Sequence, residues 1–286
     1  MEATMKGEAG SSTALEAAIA REAAEFPGDF GMFATNLATG ESVGFRPDAV
    51  MPTASTIKVC VLCELYRQVG EGTADLAERR EVTPEDWWGG SGVLKEFAPG
   101  LRPTVLDLAR MMIVVSDNVA TGMLVRLLGK DRVNATMREW GLPETELIWK
   151  AAPGGSIRDY AVSTPRELAR LMALIASDAV LTPDACAAIR DHLSRQQYLD
   201  QIPRYLPFNP YASYFGETLP VSVMNKTGFY TGVRVDAAIV TAGDVTFTIA
   251  TMTEGHPDPL FQPEHAGMVL NGRVAKLVYD VWCEEA

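Results

Sequence analysis

Along this chain the spacing of apolar positions switches between helical and strand-like periods, and each switch marks an element. Residues 13–26 are Ala-rich with helical spacing, while 30–37 and 42–46 alternate around Ala38-Thr39-Gly40-Glu41 as a hairpin. From Ser55 to about Leu199 the pattern is mainly helical, interrupted by Gly- and Pro-bearing loops at 87–103 and 141–165. A Pro- and Tyr-rich crossing at 203–220 leads into strands at 220–226, 233–241 and 245–252, with turns at Tyr230-Thr231-Gly232 and Ala242-Gly243-Asp244. A helix over 263–283 closes the chain. Strands from both ends, with helices between, predict an α+β arrangement. Residues 1–54 and 218–286 are expected to build a sheet-containing unit, and 55–217 a helical one with active-site loops.

One helix is apolar on every side. Val59, Cys60, Val61, Leu62, Cys63, Leu65 and Tyr66 leave it almost no polar face, which is the pattern of a buried helix. Its start reads Ser55-Thr56-Ile57-Lys58, with serine and lysine three apart and so on one face. A Ser-x-x-Lys at a helix start is ordinarily an N-cap followed by a surface lysine, but that reading needs a polar face around Lys58. Lys58 is therefore expected in the interior, where desolvation disfavours the ammonium and lowers its pKa. A neutral amine beside a hydroxyl is the base that a serine nucleophile requires. The backbone N–H of Ser55, unpaired at a helix start, is expected to help hold a carbonyl oxygen as it gains negative charge.

Two further polar triplets interrupt apolar segments. Ser116-Asp117-Asn118 separates an apolar stretch at 105–115, opened by the capping-box pattern Thr104-x-x-Asp107, from a second apolar helix at 119–128. Lys226-Thr227-Gly228 follows the alternating Val221-Ser222-Val223-Met224-Asn225. Singly, the first is an ordinary helix-joining turn and the second an ordinary strand end. Composition supplies about 0.3 chance copies of S-x-x-K, about 0.01 of S-D-N and about 0.04 of K-T-G. Their joint occurrence, in order, points to a cleft lined by all three.

Composition narrows the chemistry by exclusion. With 286 residues and 47% hydrophobic content the chain can bury a large core. No run of 18 or more apolar residues exists, so no membrane span is expected. A net charge of −12 argues against a nucleic-acid partner. Cys60, Cys63, Cys186 and Cys283 lack the spacing of a metal site or a disulfide framework. Cys60 and Cys63 read as small core residues, with a redox or zinc pair as the alternative. His192, His256 and His265 are far apart, which supports neither a His-based metal site nor a Ser-His-Asp triad. No metal or cofactor is expected, and the base for Ser55 falls to lysine. The opening Met1-Glu2-Ala3-Thr4-Met5-Lys6 lacks the apolar core of a secretory signal. That points to the cytoplasm, or to the periplasm or exterior if a leader has been removed.

The three motifs and the order of elements resemble the class A β-lactamase-like serine hydrolases over nearly the whole chain. The resemblance implies an antiparallel sheet flanked by terminal helices and packed on an all-helical domain, with the active site between them. It implies an acylated nucleophile at Ser55 with Lys58 as its base, and a proton-relaying hydroxyl at Ser116. Asn118 matches the amide that holds the acyl side chain, and Lys226, Thr227 and Gly228 match the strand that binds the substrate carboxylate. The backbone N–H of Phe229 would complete an oxyanion hole with that of Ser55. Arg234, just after Gly232, resembles an arginine that supports carboxylate binding. The stretch Gly100-Leu101-Arg102-Pro103-Thr104-Val105 leading towards Ser116 also looks like the family.

One loop departs from the family. Class A β-lactamases carry a Glu-x-x-x-Asn pair before a Pro-Gly turn, and that glutamate activates the water that releases the acyl group. Counting back from Pro153-Gly154 puts Thr145 at the glutamate's place and Trp149 at the asparagine's. Glu146 is one residue out of register, with Lys150 four further on. The leading expectation is a monomeric hydrolase that forms an acyl-enzyme on Ser55 from a small acyl substrate, without an in-register deacylating glutamate. A D-alanyl-D-alanine peptidase or esterase on the same scaffold, or a penicillin-binding sensor that does not turn over, stays open beside it.

Overall fold

The computed structural model describes residues 2–87, 89–150, 155–218 and 221–283. Helix α1 (Glu2–Ala24) begins further towards the N-terminus than the apolar pattern predicts, and lays Leu15 and Ile19, one turn apart, into the core. Strands β1 (Asp29–Asn36) and β2 (Ser42–Phe45) form the expected hairpin. Its turn is held by Asn36, whose Oδ1 accepts from the N–H groups of Ala38 (3.0 Å) and Thr39 (3.2 Å).

A small second sheet was not visible in the apolar pattern. It consists of β3 (Met51–Pro52), β4 (Glu146–Leu147) and β5 (Ala161–Ser163) in the order β3-β5-β4. Strands of two and three residues are too short to show alternation, and tertiary pairing alone defines them. This sheet holds the 141–165 loop beside Ser55, through a bond from Thr53 N–H to the Ala161 carbonyl (3.1 Å).

The helical body comprises α2 (Lys58–Gly70), α3 (Val105–Val114), α4 (Asn118–Leu128), α5 (Lys130–Glu139), α6 (Pro165–Ala176) and α7 (Pro183–Ser194). Helix α2 is its centre. Every residue from Lys58 to Tyr66 is buried, including Glu64, whose carboxylate accepts from Gln68 (2.7 Å), Arg132 (3.1 Å) and Thr136 (2.5 Å). Cys60 and Cys63 are free thiols in this core, and burial pushes both well above the ordinary thiol pKa. Helices α6 and α7 start on Thr164-Pro165 and Thr182-Pro183, each with the threonine hydroxyl accepting an N–H of the first turn and proline in the first helical position.

Strands β6 (Val221–Tyr230), β7 (Val233–Ala242) and β8 (Val245–Glu254) complete the main sheet, and α8 (Ala266–Cys283) covers it. The five strands run in the order β2-β1-β8-β7-β6, all antiparallel, so the N-terminal hairpin pairs directly with the C-terminal strands. One face packs Phe30, Met32, Val240 and Phe247 under α1 and α8. The other packs Val235, Ala237, Ile239 and Met252 on the helical body. Burial on both faces explains why β7 is buried continuously from Val233 to Val240. Among the described residues no helix is long and apolar enough to cross a membrane.

The capping box read from the sequence is present at the start of α3. Thr104 Oγ1 accepts from Asp107 N–H (3.0 Å), while Asp107 Oδ2 accepts from Thr104 N–H (2.9 Å) and from its hydroxyl (2.7 Å). Thr104→Ala removes the hydroxyl that accepts from Asp107 N–H and donates to its carboxylate, leaving only the backbone bond from residue 104, and is expected to lower stability by about 1 kcal/mol. Urea unfolding checks it, and an unchanged midpoint would mean that the box contributes nothing.

Candidate active site

Ser55 lies at the seam between the main sheet and the helical body. It sits in a 3-10 turn, Ala54–Ile57, that runs straight into α2, so α-helical geometry begins at Lys58 rather than at Ser55 as the sequence suggested. From Met51 to Tyr66 every residue is buried except Ser55, which is half-buried and opens to a cleft. Ala54, just before it, adopts φ +44°, a left-handed conformation that costs an alanine energy.

Lys58 projects from the first turn of α2 into a closed polar pocket and has no solvent exposure. Its Nζ donates to the Ser116 carbonyl oxygen (2.7 Å) and to Asn118 Oδ1 (2.8 Å), and lies 3.1 Å from Ser116 Oγ. The orientation of the Asn118 amide is fixed from its other end, where Nδ2 donates to the Gly89 carbonyl (2.7 Å). Two of the three neighbours of Nζ can only accept, and the third is a hydroxyl able to accept or donate. The set accommodates an ammonium with three N–H bonds or, when the hydroxyl donates to its lone pair, a neutral amine. Desolvation pulls the Lys58 pKa well below its ordinary value, the charge of Lys226 adds to the effect, and Asp117 opposes it.

The turn between α3 and α4 holds its polar triplet rigidly. Ser116 is buried at φ +54°, a second strained non-glycine residue in the site. Asp117 caps α4 by accepting from Ala120 N–H (2.9 Å), and its other oxygen accepts from the N–H groups of Val93 (2.7 Å) and Leu94 (2.8 Å). The triplet thereby pins the 89–94 loop that forms one wall of the cleft. Gly92 is required in that loop, at φ +106°, because a Cβ there would lie 2.3–2.4 Å from Asp117.

Lys226 enters from β6, the edge strand of the main sheet. Its Nζ lies 3.1 Å from Ser116 Oγ and donates to the Thr227 carbonyl (2.6 Å). The Ser116 hydroxyl therefore stands between two lysine amines. Burial pulls Lys226 down to about 7, against the opposing charge of Asp236 behind the strand. Burial pushes the Asp236 carboxyl up to about 7, although it accepts from Asn225 Nδ2 (3.1 and 3.2 Å) and Ile202 N–H (3.0 Å). The Thr56 hydroxyl donates to the Lys226 carbonyl (3.2 Å), which ties the 3-10 turn to the strand.

Gly228 is the point of closest approach. A Cβ there would sit 2.6 Å from the Thr53 carbonyl and 2.8 Å from Ser55 N. Glycine thus lets β6 reach the turn, and brings the backbone of Phe229 alongside that of Ser55, the two expected oxyanion donors.

The structure gathers Ser55, Lys58, Ser116, Asn118, Lys226 and Gly228 at one seam. Thr227 and Arg234 stand behind it. The Thr227 hydroxyl is gripped by the Gln201 amide, whose oxygen accepts from Asn271 on α8 (2.7 Å). Arg234 is buried, with Nη1 on the Tyr230 (2.6 Å) and Val233 (2.7 Å) carbonyls and Nη2 on Leu260 (2.5 Å), and its guanidinium lies over Phe261. Burial pulls it down to about 10, which leaves it cationic at neutral pH.

The 141–165 loop sends a different residue into the cleft than a carboxylate. Thr145 is buried against Ser163 Oγ (2.7 Å) and donates to Glu167 Oε2 (2.6 Å). Glu146 is exposed on β4. Trp149, at φ +56°, lines the cleft, with its ring centroid 5.3 Å from that of Tyr160. Pro153 and Gly154, from which the register was counted, lie outside the described residues. Tyr160, Ile157, Phe261 and the small residues Gly89, Gly90 and Ser91 complete walls that sequence reasoning did not assign. Among the described residues no group of three or more His, Cys, Asp or Glu side chains could hold a metal ion.

An antiparallel sheet between terminal helices, packed on a helical body with these three motifs at the seam, is the β-lactamase/transpeptidase-like fold. A family model described as "Beta-lactamase enzyme family" matches residues 14–282, and the chain belongs to that family of hydrolases. It is similar to a β-lactamase from Sphaerobacter thermophilus DSM 20745, with a TM-score of 0.81 and 28% identity over 93% of this chain and 95% of that one. Its likeness to PBP-A is comparable, with a TM-score of 0.80 and 28% identity over 94% of this chain and 95% of that one. A variant of PBP-A has been solved as an acyl-enzyme complex with penicillin G. Among curated sequences it is 33% identical over 107 residues to the β-lactamase regulatory protein BlaB of Streptomyces cacaoi, a match covering 37% of this chain and only 34% of that protein.

The contact at Gly228 generates a prediction. Gly228→Ala forces β6 away from the 3-10 turn and is expected to cost about 1–3 kcal/mol of stability. It should also slow covalent labelling of the protein by a fluorophosphonate. Unfolding and labelling both at wild-type levels would mean that strand and turn are not packed as described.

Proposed function

We propose that the protein is a serine hydrolase of class A β-lactamase type that works through an acyl-enzyme on Ser55, and that release of the acyl group is its slow step. The observation that carries this reading is the fully buried Lys58 amine, contacted by two acceptor-only oxygens and one hydroxyl. In the acylation step the Ser55 oxygen attacks the acyl carbon while its proton passes to the neutral Lys58 amine. Backbone N–H groups of Ser55 and Phe229 receive the charge that develops on the carbonyl oxygen. The bond to the leaving nitrogen or oxygen then breaks, and the leaving atom is protonated through the Ser116 hydroxyl, which Lys58 resupplies. Water cleaves the resulting ester, returning Ser55 and a carboxylic acid.

The 141–165 loop supports slow release. No carboxylate is among the described residues lining the cleft, and Glu146 is exposed and is not one of them. General-base assistance is worth about 10²–10⁴-fold, so its loss moves the slow step to deacylation. The penicillin G adduct of the PBP-A variant supports the same chemistry on a similar scaffold.

A chromogenic cephalosporin in rapid mixing is expected to give a burst of one equivalent followed by slow turnover. Glu146→Gln should leave both phases unchanged, and Ser55→Ala should abolish the adduct seen by intact-mass spectrometry. Fast, burst-free turnover that collapses in Glu146→Gln would instead make this glutamate the deacylating base. An adduct that persists in Ser55→Ala would move the nucleophile elsewhere.

A further inference from the structure

The cleft beside Ser55 has a volume of about 370 Å³, large enough for a small acyl donor. Its walls are unusual for a site expected to bind an anion. Trp149, Ile157 and Tyr160 form one group of lining residues, and Phe229, Tyr230 and Phe261 a second. The two sets are internally packed: Trp149 on Tyr160 at 5.3 Å, and Phe229 edge-on to Phe261 at 5.8 Å between ring centroids. The remaining described lining residues are small or neutral, and none carries a charge.

The cationic side chains of the site do not line these walls. Arg234 spends its guanidinium on three backbone carbonyls and the face of Phe261. The Thr227 hydroxyl accepts from Gln201, is 2% exposed, and does not line the cleft. Lys226 is fully buried between Ser116 and the Thr227 carbonyl. An anionic acyl group seated against these walls would lose its hydration without gaining a charged partner there, which is costly. An apolar acyl group would gain from leaving water.

On the reading that Ser55 is acylated, we propose that the preferred acyl group is uncharged, the aryl or branched apolar acyl group of an ester or amide, and that it seats against Trp149 and Tyr160. The bond made is Ser55 Oγ to the acyl carbon, and the bond broken is that to the leaving oxygen or nitrogen. The leaving atom keeps the electron pair, and the serine proton goes to Lys58. Trp149 acts as a specificity-determining wall, in the loop where the family places polar deacylation residues.

The test is a burst-kinetic comparison of three p-nitrophenyl esters, the acetate, the phenylacetate and the hemisuccinate, on the full chain. The second-order acylation constant for phenylacetate should exceed that for acetate by at least about tenfold. The anionic hemisuccinate should fall below acetate. Trp149→Ala should remove most of the phenylacetate advantage over acetate, and an unchanged far-UV circular dichroism spectrum and urea midpoint certify the fold of the variant. Equal constants across the series, or a preference for the hemisuccinate, would overturn the inference in wild-type protein without reference to any variant. An advantage for phenylacetate that survives in Trp149→Ala would overturn the role given to that wall. Absence of Ser55-dependent acylation by every ester would overturn the acyl-enzyme reading itself, and the inference with it.

Discussion

An amine taken out of water without a carboxylate partner is the constraint on which this site depends. Lys58 is fully buried, and its contacts are a carbonyl, an amide oxygen and a hydroxyl rather than a counter-ion. A charged ammonium is penalised there, and a second lysine across the Ser116 hydroxyl adds repulsion. Around this amine the backbone is held in conformations it would not adopt alone. Ala54 and Ser116 both take left-handed dihedrals, each costing about 1–3 kcal/mol, and Trp149 takes a third. The buried α2, the capped turn at Asp117 and the Gly228 contact hold Ala54 and Ser116 there.

The division of labour between the layers follows from that constraint. The helical body supplies Ser55, Lys58, Ser116 and Asn118 on short, mutually bonded segments, while the sheet supplies one edge strand carrying Lys226 and Gly228. Because β6 is an edge, its outer side faces the 3-10 turn instead of another strand. Behind it, Asp236, Asn225, Gln201 and Asn271 fill the space under α8 with polar contacts that brace the strand from the terminal-helix side.

Much of this was legible in the sequence because the chemistry is carried by local patterns. The buried character of Lys58 follows from the apolar residues after it, and the α3 cap from Thr104 and Asp107. The five strands and the final helix were located to within a few residues, although β6 continues through Lys226-Thr227-Gly228 to Tyr230. The rest was hidden for physical reasons. Strands β3, β4 and β5 exist only through pairing between distant segments. Trp149, Tyr160 and Phe261 converge from separate loops, so no spacing announces the wall they form. Arg234 follows the turn as a family arginine would, but sequence cannot reveal that the Tyr230, Val233 and Leu260 carbonyls occupy its guanidinium. The Gln201 grip on Thr227 is equally silent, since the two residues are distant in the chain.

The central claim is that Lys58 is a neutral amine in the resting protein. It is tested most directly by NMR of protein labelled with ¹³C and ¹⁵N at lysine, with the Lys58 resonances assigned by their loss in Lys58→Arg. The account predicts neutral-amine shifts for Lys58 at pH 7 and no titration near the ordinary lysine value of 10.5. Ammonium shifts at pH 7, with a titration close to that value, would contradict it.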